Sequence, residues 1–126
     1  MAQTQRHLTT LIRRYVAALE ARGIPVERVI LFGSQAAGRI DAWRDIDIAV
    51  ISPKFDDLSI LERYEQLGLA NRELRAPFDI VGFSLSQVAQ CEPESFLAEI
   101  LRTGVEVPIH SRRTVAHTRK ERPRGS

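Results

Sequence analysis

The sequence predicts an α/β protein of the α+β kind, a small mixed β-sheet flanked by helices. Three observations carry that prediction. Val29-Ile30-Leu31-Phe32 is a continuous apolar run closing on Gly33-Ser34, as a strand covered on both faces does. Asp45 to Ile51 alternates, with Ile46, Ile48 and Val50 on one side and Asp45 and Asp47 on the other. The chain as a whole reads helix, strand, turn, strand, helix, strand, helices, and such helices bury their apolar stripes against a sheet.

Taken in order, Leu8, Leu11, Ile12, Tyr15, Val16 and Leu19 recur at helical spacing and predict an amphipathic helix that stops near Gly23 and Pro25. Tyr15 belongs to its core face. A first strand follows from Val26 to Phe32. Ser34 is a good N-cap for a single turn, Gln35-Ala36-Ala37, stopped at Gly38. Residues 39–44 form a polar connection, and Asp45 to Ile51 is the second strand, ended by Ser52-Pro53. Asp56 or Asp57 can cap a second long helix whose inward stripe is Ile60, Leu61, Tyr64, Leu67 and Leu74. Pro77 precedes a third strand, Phe78 to Phe83, with Asp79, Val81 and Phe83 on one face. Ser84 and Gln87 form a capping box for a short helix. Glu92-Pro93 opens another, with Phe96, Leu97, Ile100 and Leu101 inward and Gly104 as its stop, and Val105 to Ile109 suits a last short strand.

At 126 residues, 44% apolar and 27% charged, the chain reads as one globular domain over residues 1–109 with a basic tail, 110–126. The tail carries six Lys and Arg against Glu121 alone, a surplus of five, so the net +2 leaves −3 for the domain. The basic pI is therefore a property of the tail, which argues against a nucleic-acid-binding domain. The tail itself suits a solvated, flexible end or a docking segment for an acidic partner. No apolar run reaches the length of a membrane span, and no signal-peptide core is present. The lone Cys91 fits a reducing compartment, and the cytoplasm is the expected location. His7, His110 and His117 are scattered and suggest no zinc site.

The chemistry concentrates between Gly33 and Asp47. Two carboxylates on one face of a strand repel each other unless a cation sits between them, and Mg²⁺ is the natural one. Asp79 is the other acidic residue in a strand interior, so three carboxylates from two strands can converge. Two Mg²⁺ ions roughly 3.5–4 Å apart clamp the attacking and leaving oxygens of an in-line displacement at phosphorus. Gly33 lets the backbone approach a phosphate, free N–H groups of the turn attract anions, and the Ser34 hydroxyl adds a donor. An Asp-x-Asp pair alone is more often a turn or an exposed edge; its place after Gly-Ser between two apolar runs is what gives it meaning. Gly33 to Gly38 also approaches the P-loop pattern, but Arg39-Ile40 replace its Lys and Ser/Thr. Trp43 could stack on a base or simply pack the loop.

Gly33-Ser34, ten residues, then Asp45-Ile46-Asp47 resembles the signature of the DNA polymerase β-like nucleotidyltransferase superfamily. Gly33-Ser34-Gln35-Ala36-Ala37-Gly38 is similar to its common Gly-Ser-x-Ala-x-Gly form, and Phe78-Asp79-Ile80-Val81 resembles its third-carboxylate strand. The resemblance implies the nucleotidyltransferase fold and Mg²⁺-dependent transfer of a nucleoside monophosphate from a triphosphate. By position it implies that Gly33 and Ser34 hold the β- and γ-phosphates, that Asp45 and Asp47 bind metal, and that Asp79 completes the site. Arg44 stands where the family often has Ser, and it could contact the triphosphate or face solvent. With no room for an acceptor-binding domain, the chain resembles the minimal nucleotidyltransferases that act as antitoxins of HEPN-domain toxins. That likeness implies AMP transfer from ATP to a tyrosine hydroxyl of the partner. The alternatives are a non-catalytic antitoxin that neutralises its partner by occlusion and a standalone enzyme modifying a small hydroxylated molecule.

Overall fold

The computed structural model describes residues 2–33 and 46–109, with side chains from residue 6 onward. Ser34, the turn at 35–38, Trp43, Arg44, Asp45 and the tail lie outside the described residues. The elements are α1 (Ala2–Ala21), β1 (Arg28–Phe32), β2 (Ile46–Ile51), a 3-10 turn (Pro53–Asp56), α2 (Ile60–Leu74), β3 (Phe78–Phe83), α3 (Leu85–Ala89), α4 (Phe96–Thr103) and β4 (Val105–Glu106). The sheet order is β3-β2-β1-β4. β1 pairs antiparallel with β2 and β4, while β2 and β3 run parallel through the α2 crossover. This is the mixed sheet with helices that the pattern predicts.

α1 buries Leu8, Ile12, Tyr15, Val16 and Leu19. Gly23, at φ +86, ends it: its N–H donates to Glu20 O and the Ile24 N–H to Leu19 O, a Schellman closure. β1 begins two residues later than expected, because the Val26 N–H donates to the Glu20 carboxylate instead of joining a ladder. The sheet then separates two cores. Ile46, Ile48 and Val50 face α1 and α2, whereas Ala49 and Ile51 face Ile30 and Ile100 of α4. Asp47 and Asp79 belong, by strand alternation, to the α4 face.

Three expectations are corrected. α2 is capped by Ser59 in a reciprocal box with Glu62, not by Asp56 or Asp57; the 3-10 turn takes up Asp56, and Asp57 closes it. The inward face of α2 is Arg63, Leu67 and Ala70, while Ile60, Leu61 (78% exposed) and Tyr64 (39%) face outward. The reason is Arg63, which a hydropathy pattern sends to solvent but which is only 5% exposed. Its guanidinium donates to Gly82 O, Gln87 Oε1 and Phe55 O and lies 5.2 Å from the centroid of the Phe55 ring. Lastly, α4 starts at Ser95 rather than Glu92-Pro93, since the Ser95 hydroxyl accepts from the Ala98 N–H; Phe96 then points outward at 56% exposure.

β3 ends the sheet, and α2 covers its outer edge. The Gly82 N–H donates to the Tyr64 hydroxyl, Arg63 donates to Gly82 O, and Asn71 Nδ2 donates to Phe78 O. β4 is shorter than expected, but the chain stays on the sheet as far as Val107, whose N–H donates to Val29 O. None of the described helices is long and apolar enough to cross a membrane.

Candidate functional site

The site forms where β1 ends and β2 and β3 begin. Asp47 is the register partner of Phe32 on one side and of Asp79 on the other. Register partners in neighbouring strands share a face, at a strand spacing of about 4.8 Å. Asp47 is half-buried between two strands; Asp79, on the edge strand, is exposed. Of the predicted site residues, the structure thus brings Asp47 and Asp79 together and sets Gly33 beside them. Ser34, Arg44 and Asp45 lie outside the described residues.

Gly33 has φ +75, a conformation L side chains rarely adopt. A β-carbon there would overlap Asp47 Oδ2 and stand 3.3 Å from Asp47 Cγ. The missing side chain therefore does two things: it permits the turn out of β1, and it leaves the space the Asp47 carboxylate occupies.

Two carboxylates at strand spacing repel by about 1 kcal/mol even in a water-like medium. On this face the two acids interrupt an apolar surface: Val81 and Phe83 continue β3 and Ala49 and Ile51 continue β2. An all-oxygen donor set suits a hard cation, and Mg²⁺ takes one or two protein carboxylates with phosphate oxygens completing its shell. Asp47 and Asp79 fit that requirement. Among the described residues no group of three or more His, Cys, Asp or Glu could hold a metal.

Sequence reasoning missed an aromatic neighbour of the pair. Phe32, beside Asp47, meets Phe96 of α4 edge to face, with ring centroids 5.7 Å apart. The two lie 64 positions apart in sequence, and no local pattern signals the contact.

The family profile described as polymerase beta, nucleotidyltransferase matches residues 18–112. Among solved structures, the chain is similar to a candidate nucleotidyltransferase from Sulfolobus solfataricus. The identity is 19%, over 71% of this chain and 78% of that one, with a TM-score of 0.55, a likeness in fold. No curated protein matches the chain.

Proposed function

The chain belongs to the polymerase β nucleotidyltransferase family, and from that premise we propose that it transfers AMP from ATP to a hydroxyl of a partner protein. The observation that carries the reading is the Asp47–Asp79 register beside Gly33. In this reading Asp45, Asp47 and Asp79 hold Mg²⁺, two ions in all, which neutralise and orient the phosphates. Gly33 and Ser34 hold the β- and γ-phosphates through the turn's N–H groups and the Ser34 hydroxyl, and Arg44 contacts the triphosphate.

The acceptor hydroxyl oxygen bonds to the α-phosphorus as that phosphorus parts from the α,β-bridging oxygen, and pyrophosphate leaves. Asp79 is the more exposed acid of the pair, which supports giving it the acceptor side, where it takes the hydroxyl proton. Residues 1–109 make up the transferase domain and 110–126 a basic tail. The partner is a HEPN-domain toxin and the chain its cytoplasmic antitoxin; support for this comes from the small chain's likeness to the minimal nucleotidyltransferases. Incubation with Mg²⁺, labelled ATP and the co-purifying partner is expected to label the partner. Absence of label with every nucleoside triphosphate overturns the reading.

An antitoxin acting by occlusion is the second reading. Exposed Ile60 and Leu61, adjacent on the first turn of α2, favour it, because a partner covers apolar surface of that kind. The Asp45→Ala, Asp47→Ala double variant separates the two: neutralisation that survives it favours occlusion.

A further inference from the structure

We propose that the cavity between α3 and α4 receives the base of the nucleotide; this rests on the transferase reading above. The cavity has a volume of about 380 Å³ and is lined by residues that include Phe83, Gln87, Gln90, Glu92 and Phe96. That is the low end of the range for small-molecule pockets. It opens on the carboxylate face. Phe83 continues the Asp79-Val81 side of β3, and Phe96, on the cavity wall, touches Phe32 beside Asp47. Asp79 and Phe83 are four residues apart along β3, about 13 Å at strand rise. A nucleotide with its phosphates at Gly33 thus has an aromatic recess within reach on the same side of the sheet.

The lining suits a base. Phe96 is 56% exposed at the start of a helix whose other apolar residues turn inward, so its outer face is left for a ligand to stack on. Stacking on an aromatic side chain accommodates any base. The polar groups then anchor the edge of the base. Gln87 Oε1 already accepts from Arg63 Nη1 and from the Ser84 N–H, each at 2.8 Å, so this side chain offers a ligand its N–H donors. Glu92 offers an acceptor. A donor and an acceptor together can pair with the edge of a base, such as the ring nitrogen and amino group of adenine.

The test titrates ATP and inorganic tripolyphosphate, each with Mg²⁺, into the full chain and into the Phe96→Ala variant. Phe96→Ala is expected to weaken ATP roughly tenfold and leave tripolyphosphate unchanged. Cys91, half-buried on the same cavity wall, gives an independent readout: ATP slows its alkylation and tripolyphosphate does not. Equal weakening of ATP and tripolyphosphate in Phe96→Ala, or unchanged ATP affinity with unslowed alkylation, overturns the cavity assignment and leaves the transferase reading standing. Failure of both ATP and tripolyphosphate to bind the wild-type chain overturns that reading and the assignment with it.

Discussion

The carboxylate of Asp47 occupies the space in which a β-carbon on Gly33 would stand. Gly33→Ala therefore forces a left-handed backbone on a residue that resists it and pushes Asp47 aside. The expected cost is about 1–2 kcal/mol of stability. The larger effect falls on nucleotide transfer: displacing a positioning group by about an ångström loses roughly a hundredfold in rate. Thermal melts and label transfer on the same preparation separate the two effects.

Asp47→Asn and Asp79→Asn each remove one of two neighbouring like charges. In metal-free buffer their stability is expected to equal or exceed that of the wild type, by up to about 1 kcal/mol, less at high salt. Added Mg²⁺ with nucleotide raises the melting temperature of the wild type and leaves both variants unmoved. A variant destabilised without metal argues that the acids serve the fold.

Gly104 and Gly82 predict a graded pair. A β-carbon at Gly104 would meet Ile30 Cγ2 and two backbone oxygens, Ile100 O at 2.7 Å and Leu31 O at 3.0 Å. At Gly82 it would meet side-chain atoms, with Leu67 Cδ1 nearest at 2.8 Å. Side chains yield and backbone does not. Gly104→Ala is expected to cost about 3 kcal/mol and Gly82→Ala about 1, measured by denaturant titration.

Tyr15 supplies the pH dependence. Burial pushes its hydroxyl pKa up, and that hydroxyl donates to Leu67 O at 2.8 Å. A raised folded-state pKa adds stability that is complete below the ordinary tyrosine value of about 10 and is lost as pH climbs beyond it. Tyr15→Phe is expected to cost about 1 kcal/mol at neutral pH by removing the hydroxyl's bond to the Leu67 carbonyl, and to flatten the alkaline limb. Unfolding free energies from pH 7 to pH 11 check both parts.

How far the sequence discloses this molecule depends on whether a residue's surroundings are local. The faces of β2 and β3 were legible because alternation needs nothing beyond the strand, and Asp47 and Asp79 fell on one face as predicted. The Ser84–Gln87 box, the Gly23 stop and the core role of Tyr15 were legible for the same reason. The face of α2 was not, because Arg63 is buried by carbonyls at Gly82 and Phe55, which only the fold brings together. Tyr64 was misplaced with it, moving from the core to the sheet edge. The start of α4 misled because Glu92-Pro93 resembles a helix opening, yet the Glu92 carbonyl is taken by Ser95 in a turn. The side-by-side register of the two acids was open until the pairing of β2 with β3 was known. Alternation says which way a side chain points and is silent about its neighbour.

The polar fringe that α2 lays along β3 has a consequence for how the molecule meets others of its kind. Arg63, Tyr64 and Asn71 take up main-chain groups that would otherwise invite an incoming strand. At the opposite margin the ladder is only two residues long. Such a sheet gives little purchase for strand-to-strand growth, so companions would be recruited through helices and loops, and crowded chains kept from zipping into fibrils.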